Sequence, residues 1–151
     1  MTETTEADLL HVFDEDLRAI NRESEIYYYQ QGVTRLIDKF NKLWEKTEDK
    51  EKPQLAGAFA AAIENQASSL PKAETVNGLH SSTKMTGLMF DALLKTGGAD
   101  YVPDSLGDHF LKVSERLTEM GKGDYGANVI REFDYSATLL ENKALKLKLA
   151  R

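Results

Sequence analysis

Residues 24–44 read SEIYYYQQGVTRLIDKFNKLW, and their spacing decides the fold class. Ile26, Tyr29, Val33, Leu36, Phe40 and Leu43 recur in alternating steps of three and four, the pattern of a seam between packed helices. Tyr27, Tyr28 and Tyr29 stand in a row at its start. A helix turns roughly 100° per residue, so three consecutive side chains fan over about 200° of its surface. One packed face covers little more than half of that. At least one tyrosine should therefore point away from the local core, towards water, another chain or a ligand.

Upstream, Leu9, Leu10, Phe13, Leu17 and Ile20 form a second helical stripe, with Thr4 or Thr5 as N-cap and Asp8 in the first turn. The two stripes are out of register by a couple of residues. Either the helix breaks near residues 21–24, or one long helix rotates its buried face there. No proline decides between them, and the reading favours a continuous or nearly continuous helix.

Downstream the helical period persists. Thr47-Glu48-Asp49-Lys50-Glu51-Lys52 is charged and apolar-free, a solvated turn, and Pro53 suits the first position of a helix. Leu55, Phe59, Ile63 and Leu70 then sit among six alanines and Gly57 between residues 56 and 67, which places this helix in the middle of the bundle. Pro71 ends it. Asn77-Gly78 signals a turn, and a helix from about Leu79 to Lys95 carries Met85, Leu88, Met89, Ala92 and Leu93 until Thr96-Gly97-Gly98-Ala99 stops it. Asp104 or Ser105 caps the next, with a seam of Leu106, Phe110, Val113, Leu117 and Met120. After the short joint Gly121-Lys122-Gly123, a long last helix carries Tyr125, Val129, Phe133, Leu140, Ala144 and Leu147. Only Leu145-Lys146-Leu147-Lys148-Leu149 alternates with period two, too isolated for a sheet. The expected architecture is all-α: an antiparallel bundle of about five helices. Residues 1–151 then form one domain, or a fragment whose last helix continues.

The bulk properties fit. The chain has 151 residues, 41% apolar and 29% charged, enough for an ordinary core. It has no cysteine, which excludes disulfides, thiolate metal sites and a cysteine nucleophile. The acidic start MTETTEADLL is unlike a secretory signal, and no apolar run approaches the roughly 18 residues that span a bilayer, so the expected setting is cytoplasmic.

Chemical motifs are scarce. His11, His80 and His109 lie on three helices, and none belongs to an E-x-x-H or H-E-x-x-H pattern, so no metal or other cofactor is expected. Ser81-Ser82 follow His80, and Ser105 precedes His109 by four residues; serines before helices are ordinarily caps. No nucleophile elbow or phosphate loop occurs. The tyrosine run with Arg18, Arg22 and Arg35 could stack on bases, but Glu23, Glu25 and a net charge of −6 oppose it, so nucleic acid is not an expected partner.

Surfaces remain. Tyrosine is enriched at protein contacts, and Tyr27, Tyr28, Ile37 and Trp44 flank the seam as apolar and aromatic extras. They are the expected partner-binding residues. Lys143, Lys146, Lys148 and Arg151 close the chain with no acid after Glu141. They suit the dipole of a helix end or an anionic membrane surface. The long amphipathic helices and the basic, leucine-rich REFDYSATLLENKALKLKLAR of residues 131–151 look something like part of a BAR-type membrane-curvature module. That resemblance implies a dimer with basic residues on a curved face; the acidic chain and its short joints depart from it.

The leading expectation is a non-enzymatic helical interaction protein, self-associating as a homodimer, that acts as adaptor, inhibitor or assembly factor. One alternative is a BAR-like peripheral membrane module. The other is a small enzyme with an inter-helix pocket and His80 or His109 as its acid–base group.

Overall fold

The computed structural model describes residues 5–22 and 26–151, with the side chains of residues 26 and 27 outside the description. Six α-helices form among the described residues: α1 (Glu6–Asn21), α2 (Ile26–Lys46), α3 (Lys52–Ser68), α4 (Val76–Gly97), α5 (Asp104–Met120) and α6 (Ala127–Leu149). The all-α bundle is as the periodicity predicts, with one helix more than expected.

The extra helix comes from the N-terminal segment, where the favoured continuous helix is corrected. Helix α1 starts at a capping box, Thr5 and Asp8 each accepting from the other's backbone N–H, and ends at Asn21. Helix α2 lies antiparallel to it: Asp16 meets Lys39 at 2.9 Å, and Phe13 and Phe40 pack edge to face. Because α1 and α2 are separate helices, each turns its own stripe to the core, and the offset between the stripes needs no rotated face. At Gly32 a Cβ would stand 2.8 Å from Ile20 Cγ1, so this close helix crossing needs glycine.

Cross-helix pairs fix every other direction. Helices α1 and α3 run parallel, joined by Asp14–Asn65 and Asn21–Gln66; α2 and α4 run parallel, joined by Tyr29–Met85 and Asn41–Thr96. Helices α4 and α6 are parallel through Thr83–Ser136 and Asp91–Lys143, whereas α5 meets α6 head to tail, with Ser114 donating to the Ala137 carbonyl and Gly107 beside Leu147. The result is three stacked hairpins in two layers: α1, α3 and α5 point one way, and α2, α4 and α6 the other.

Helix α3 lies centrally, as its alanines predict. Its small side chains let neighbours approach closely, and Leu55, Ala56, Ala58, Phe59, Ala60, Ala62 and Ile63 are all buried. Phe59 stacks on Phe40 with ring centres 4.1 Å apart and takes the edge of Phe13 at 5.1 Å. Among the described residues every buried side-chain polar atom has a partner.

Several local expectations change. Asn77-Gly78 belongs to the first turn of α4, because Thr75 caps that helix by accepting from the Gly78 N–H at 2.9 Å. Pro103, not Asp104 or Ser105, occupies the N-cap of α5. Tyr125 precedes α6, and its ring rests on Phe133. The period-two run at residues 145–149 is helical; spacing of two places successive leucines on opposite sides, so Leu147 is buried while Leu145 and Leu149 are exposed. No helix among the described residues is long and apolar enough to cross a membrane.

Candidate functional site

The parallel helices α2 and α4 are pinned near two points. The Tyr29 hydroxyl donates to the Met85 sulfur at 3.7 Å, and three turns further on Thr96 donates to Asn41 at 2.7 Å. Outside these helices' contact lies a trough of about 640 Å³. Val33 and Met85 are its buried floor, and Ile37 and Leu88 its apolar walls. Gln30, Thr34 and Asp38 stand on the α2 rim; His80, Ser81 and Lys84 stand on the α4 rim. The volume lies in the range of binding clefts. Leu88 is 49% exposed although its spacing assigns it to the core stripe.

Burial raises the Tyr29 phenol from 10.0 to about 12, against a smaller downward pull from the Ser82 hydroxyl. Tyr29 thus keeps its proton in the folded state where an unfolded chain has begun to lose it. Stability from this group is complete below pH 10 and is lost as pH rises towards 12. Allowing for partial exposure, its share is on the order of 1–2 kcal/mol. Urea titrations at the two ends of that window should show Tyr29→Phe losing less stability than the parent by about this amount. Equal losses in the two proteins would contradict the burial argument.

A second cleft, of about 660 Å³, follows the α4–α6 side and includes Arg131, Tyr135 and Lys143. His80 borders both clefts. Its Nδ1 lies 2.8 Å from Glu132 Oε1, and its ring stacks on Tyr135 at 4.9 Å.

The other histidines have local partners. His11 pairs with Glu15 one turn along α1. His109 Nε2 lies 2.8 Å from Ser68 Oγ and 3.2 Å from the Glu64 carbonyl. These contacts tie the end of α3 to α5. Among the described residues no group of three histidine or acidic side chains could hold a metal ion.

The four residues expected at a partner surface separate. The Tyr27 side chain lies outside the described residues. Tyr28 is 57% exposed on α2, and Ile37 lines the trough. Trp44 is corrected: it is 9% exposed, edge-on to Tyr101 at 4.9 Å and capped by the Lys52 ammonium at 5.3 Å. The reason is that α2 continues its inward stripe through Phe40 to Trp44, leaving Leu43 at the margin of the core.

The basic end turns towards its own chain. Lys143 and Lys146 both reach Asp91, at 2.8 and 3.1 Å. Arg151 pairs with Asp104 and donates to the Val102 carbonyl, which seats the end of the last helix on the start of α5. Lys148 is exposed. Asp91 and Asp104 thus offset two of the four positive charges expected to face a membrane. The longest described helix, α6, has 23 residues, about 35 Å, and packs within a two-layer bundle, unlike the crescent that the BAR-type resemblance implies.

Sequence spacing singled out Ile37, which lines the trough, and assigned its counterpart Leu88 to the core stripe. The available signal was the pair Leu88 and Ala92, one residue before Met89 and Leu93, which widens the apolar arc of α4 beyond a single seam. The approach of His80 to Glu132, 52 residues away, left no mark in local pattern. Comparison with protein-family models, curated proteins and solved structures finds no match to this chain.

Proposed function

We propose that this protein is a non-enzymatic docking module whose α2–α4 trough receives an amphipathic helix from another protein. The observation that carries the reading is Leu88, half exposed beside Ile37 above a floor of Val33 and Met85. Two parallel helical ridges with an apolar furrow between them match the surface that a third helix packs against, its apolar residues at i, i+3, i+4 and i+7 entering the furrow. The polar groups stand on the rims, where a helix leaves its own polar side in water. An adaptor, inhibitor or assembly factor would use such a surface. Enclosure of Trp44 removes one of the rings on which self-association rested.

A leucine-faced helical peptide with glutamine on its polar side tests this directly. It is expected to bind the parent protein, and Leu88→Asp to weaken it at least about tenfold by placing a charge in the apolar wall. Circular dichroism and the melting temperature should be unchanged, since Leu88 faces solvent. Equal binding to both proteins, or none to either, would refute the docking role of the trough.

A further inference from the structure

We infer that copies of this chain associate end to end, the basic stripe of α2 in one copy lying along an acidic stripe of α5 in the next, a contact that does not involve the trough. Arg35, Lys42 and Lys46 are exposed and stand seven and four residues apart, which aligns them on one side of α2 over three turns. That side borders α1 and faces away from α4. A hollow joins Arg35 to Asp16 and Ala19, and Lys39 in the same stripe is held by Asp16 at 2.9 Å.

Helix α5 carries the counterpart at the same intervals. Asp108, Glu115 and Glu119 are exposed and also stand seven and four residues apart, while Leu106, Phe110, Val113 and Leu117 turn inward. Both sets span about 16 Å. Set side by side in the same direction, the two helices bring Arg35 to Asp108, Lys42 to Glu115 and Lys46 to Glu119. The flanks agree as well. Asp38 stands about 60° to one side of the basic stripe and Lys112 about 40° to the other side of the acidic one, and opposite flanks meet when parallel helices face each other. Running the helices in opposite directions replaces Glu119 by Asp104, which Arg151 already holds at 2.9 Å. Glu119 also meets Lys122 at 2.8 Å, but that pair is open to solvent and occupies one carboxylate oxygen.

One copy cannot join its own two stripes. Helix α2 packs on α1 and α4, α5 packs on α3 and α6, and the α3–α4 hairpin lies between, so the stripes occupy opposite ends of the stack. The contact is therefore heterologous: each copy gives its α2 end to one neighbour and its α5 end to another. Because α2 and α5 run in opposite directions within one chain, a parallel contact rotates each copy by half a turn about the length of the stack. A basic stripe stays open at one end and an acidic stripe at the other, so the assembly continues as an open chain. A membrane or a nucleic acid fits less well, because each is a broad anionic partner. The basic stripe is narrow, with Asp38 and Glu45 on one flank and Asp16 on the other, in a chain whose net charge is −6.

Sedimentation velocity of the whole chain over a concentration series provides the test. At low salt the average mass should rise with concentration beyond that of a dimer. At high salt it should fall to that of the 16.9 kDa monomer, because exposed ion pairs are individually weak and readily screened. The triple variants R35E/K42E/K46E and D108K/E115K/E119K should each associate at least about tenfold more weakly than the parent, since like charges then face each other, with melting temperatures retained. The second variant has a net charge near zero, which in general promotes association, so its loss of association is specific to the stripe. An equimolar mixture of the two variants should associate again, because each supplies the stripe that the other needs.

Leu88→Asp should associate as the parent does, which separates this contact from docking in the trough; loss of association in that variant would overturn the end-to-end contact. So would a parent that stays monomeric at low salt, a mass that stops at the dimer, unchanged association in either triple variant, or a mixture that remains monomeric. Binding of phosphatidylserine vesicles or a single-stranded oligonucleotide by a monomeric parent, abolished in R35E/K42E/K46E, would assign the basic stripe to that partner and overturn it as well.

Discussion

Phe59→Ala is expected to lower the unfolding free energy by about 3–5 kcal/mol, the range for deleting a buried aromatic ring. Phe59 is fully enclosed, stacked on Phe40 of α2 and edge-on to Phe13 of α1. It therefore knits the first hairpin to the central helix. Its neighbours on α3 are alanines, which have no side-chain length with which to fill the space. Phe59→Leu keeps most of the volume and should cost roughly half as much. Urea denaturation followed by the emission of Trp44, the single tryptophan, measures both. A loss below about 1 kcal/mol for the alanine variant would mean that α1 and α2 close over the gap, contrary to a tightly packed layer.

Gly98→Val should cost about 2–3 kcal/mol for a different reason. Gly98 has φ 83 and ψ 168, a backbone conformation open to glycine and strained for a β-branched residue. Space is not the issue, since a Cβ there meets nothing within 4 Å. The conformation ends α4, where the Gly98 N–H still bonds the Leu94 carbonyl, and turns the chain into the 3₁₀ segment that sets Tyr101 on Trp44. Loosening it should shift Trp44 emission to longer wavelength as well as lower the urea midpoint. Gly98→Ala is expected to lie between the parent and the valine variant. An unchanged midpoint for Gly98→Val would show that the joint can adopt a negative φ at no cost.

The residues that carry these effects were unequally legible. Phe59 and its alanines could be placed in the centre from spacing and size alone, because a helix of small residues is useful only where neighbours crowd it. Gly97-Gly98 could be recognised as a helix stop, because few other residues tolerate that backbone. The hairpin of α1 and α2 was not legible: two offset stripes are compatible with a rotated face or with a fold-back, and the choice rests on whether Phe13 meets Phe40. Trp44 shows the same limit from the other side. Its position on the α2 seam is local, but its enclosure depends on Tyr101 and Lys52, which no period within α2 can reveal.

The amino-acid sequence by itself determined that this chain is helical, where most of its helices begin and end, and which of their stripes turn inward. Those properties follow from backbone hydrogen bonding and from the burial of side chains three and four residues apart, all local in the chain. Tertiary structure alone decided the order of the layers, the trough between α2 and α4, and the pairing of the basic end with Asp91 and Asp104. Each of these depends on contacts between residues some 50 positions apart, whose energies are set by shape and charge across helices and leave no periodic trace along any one of them.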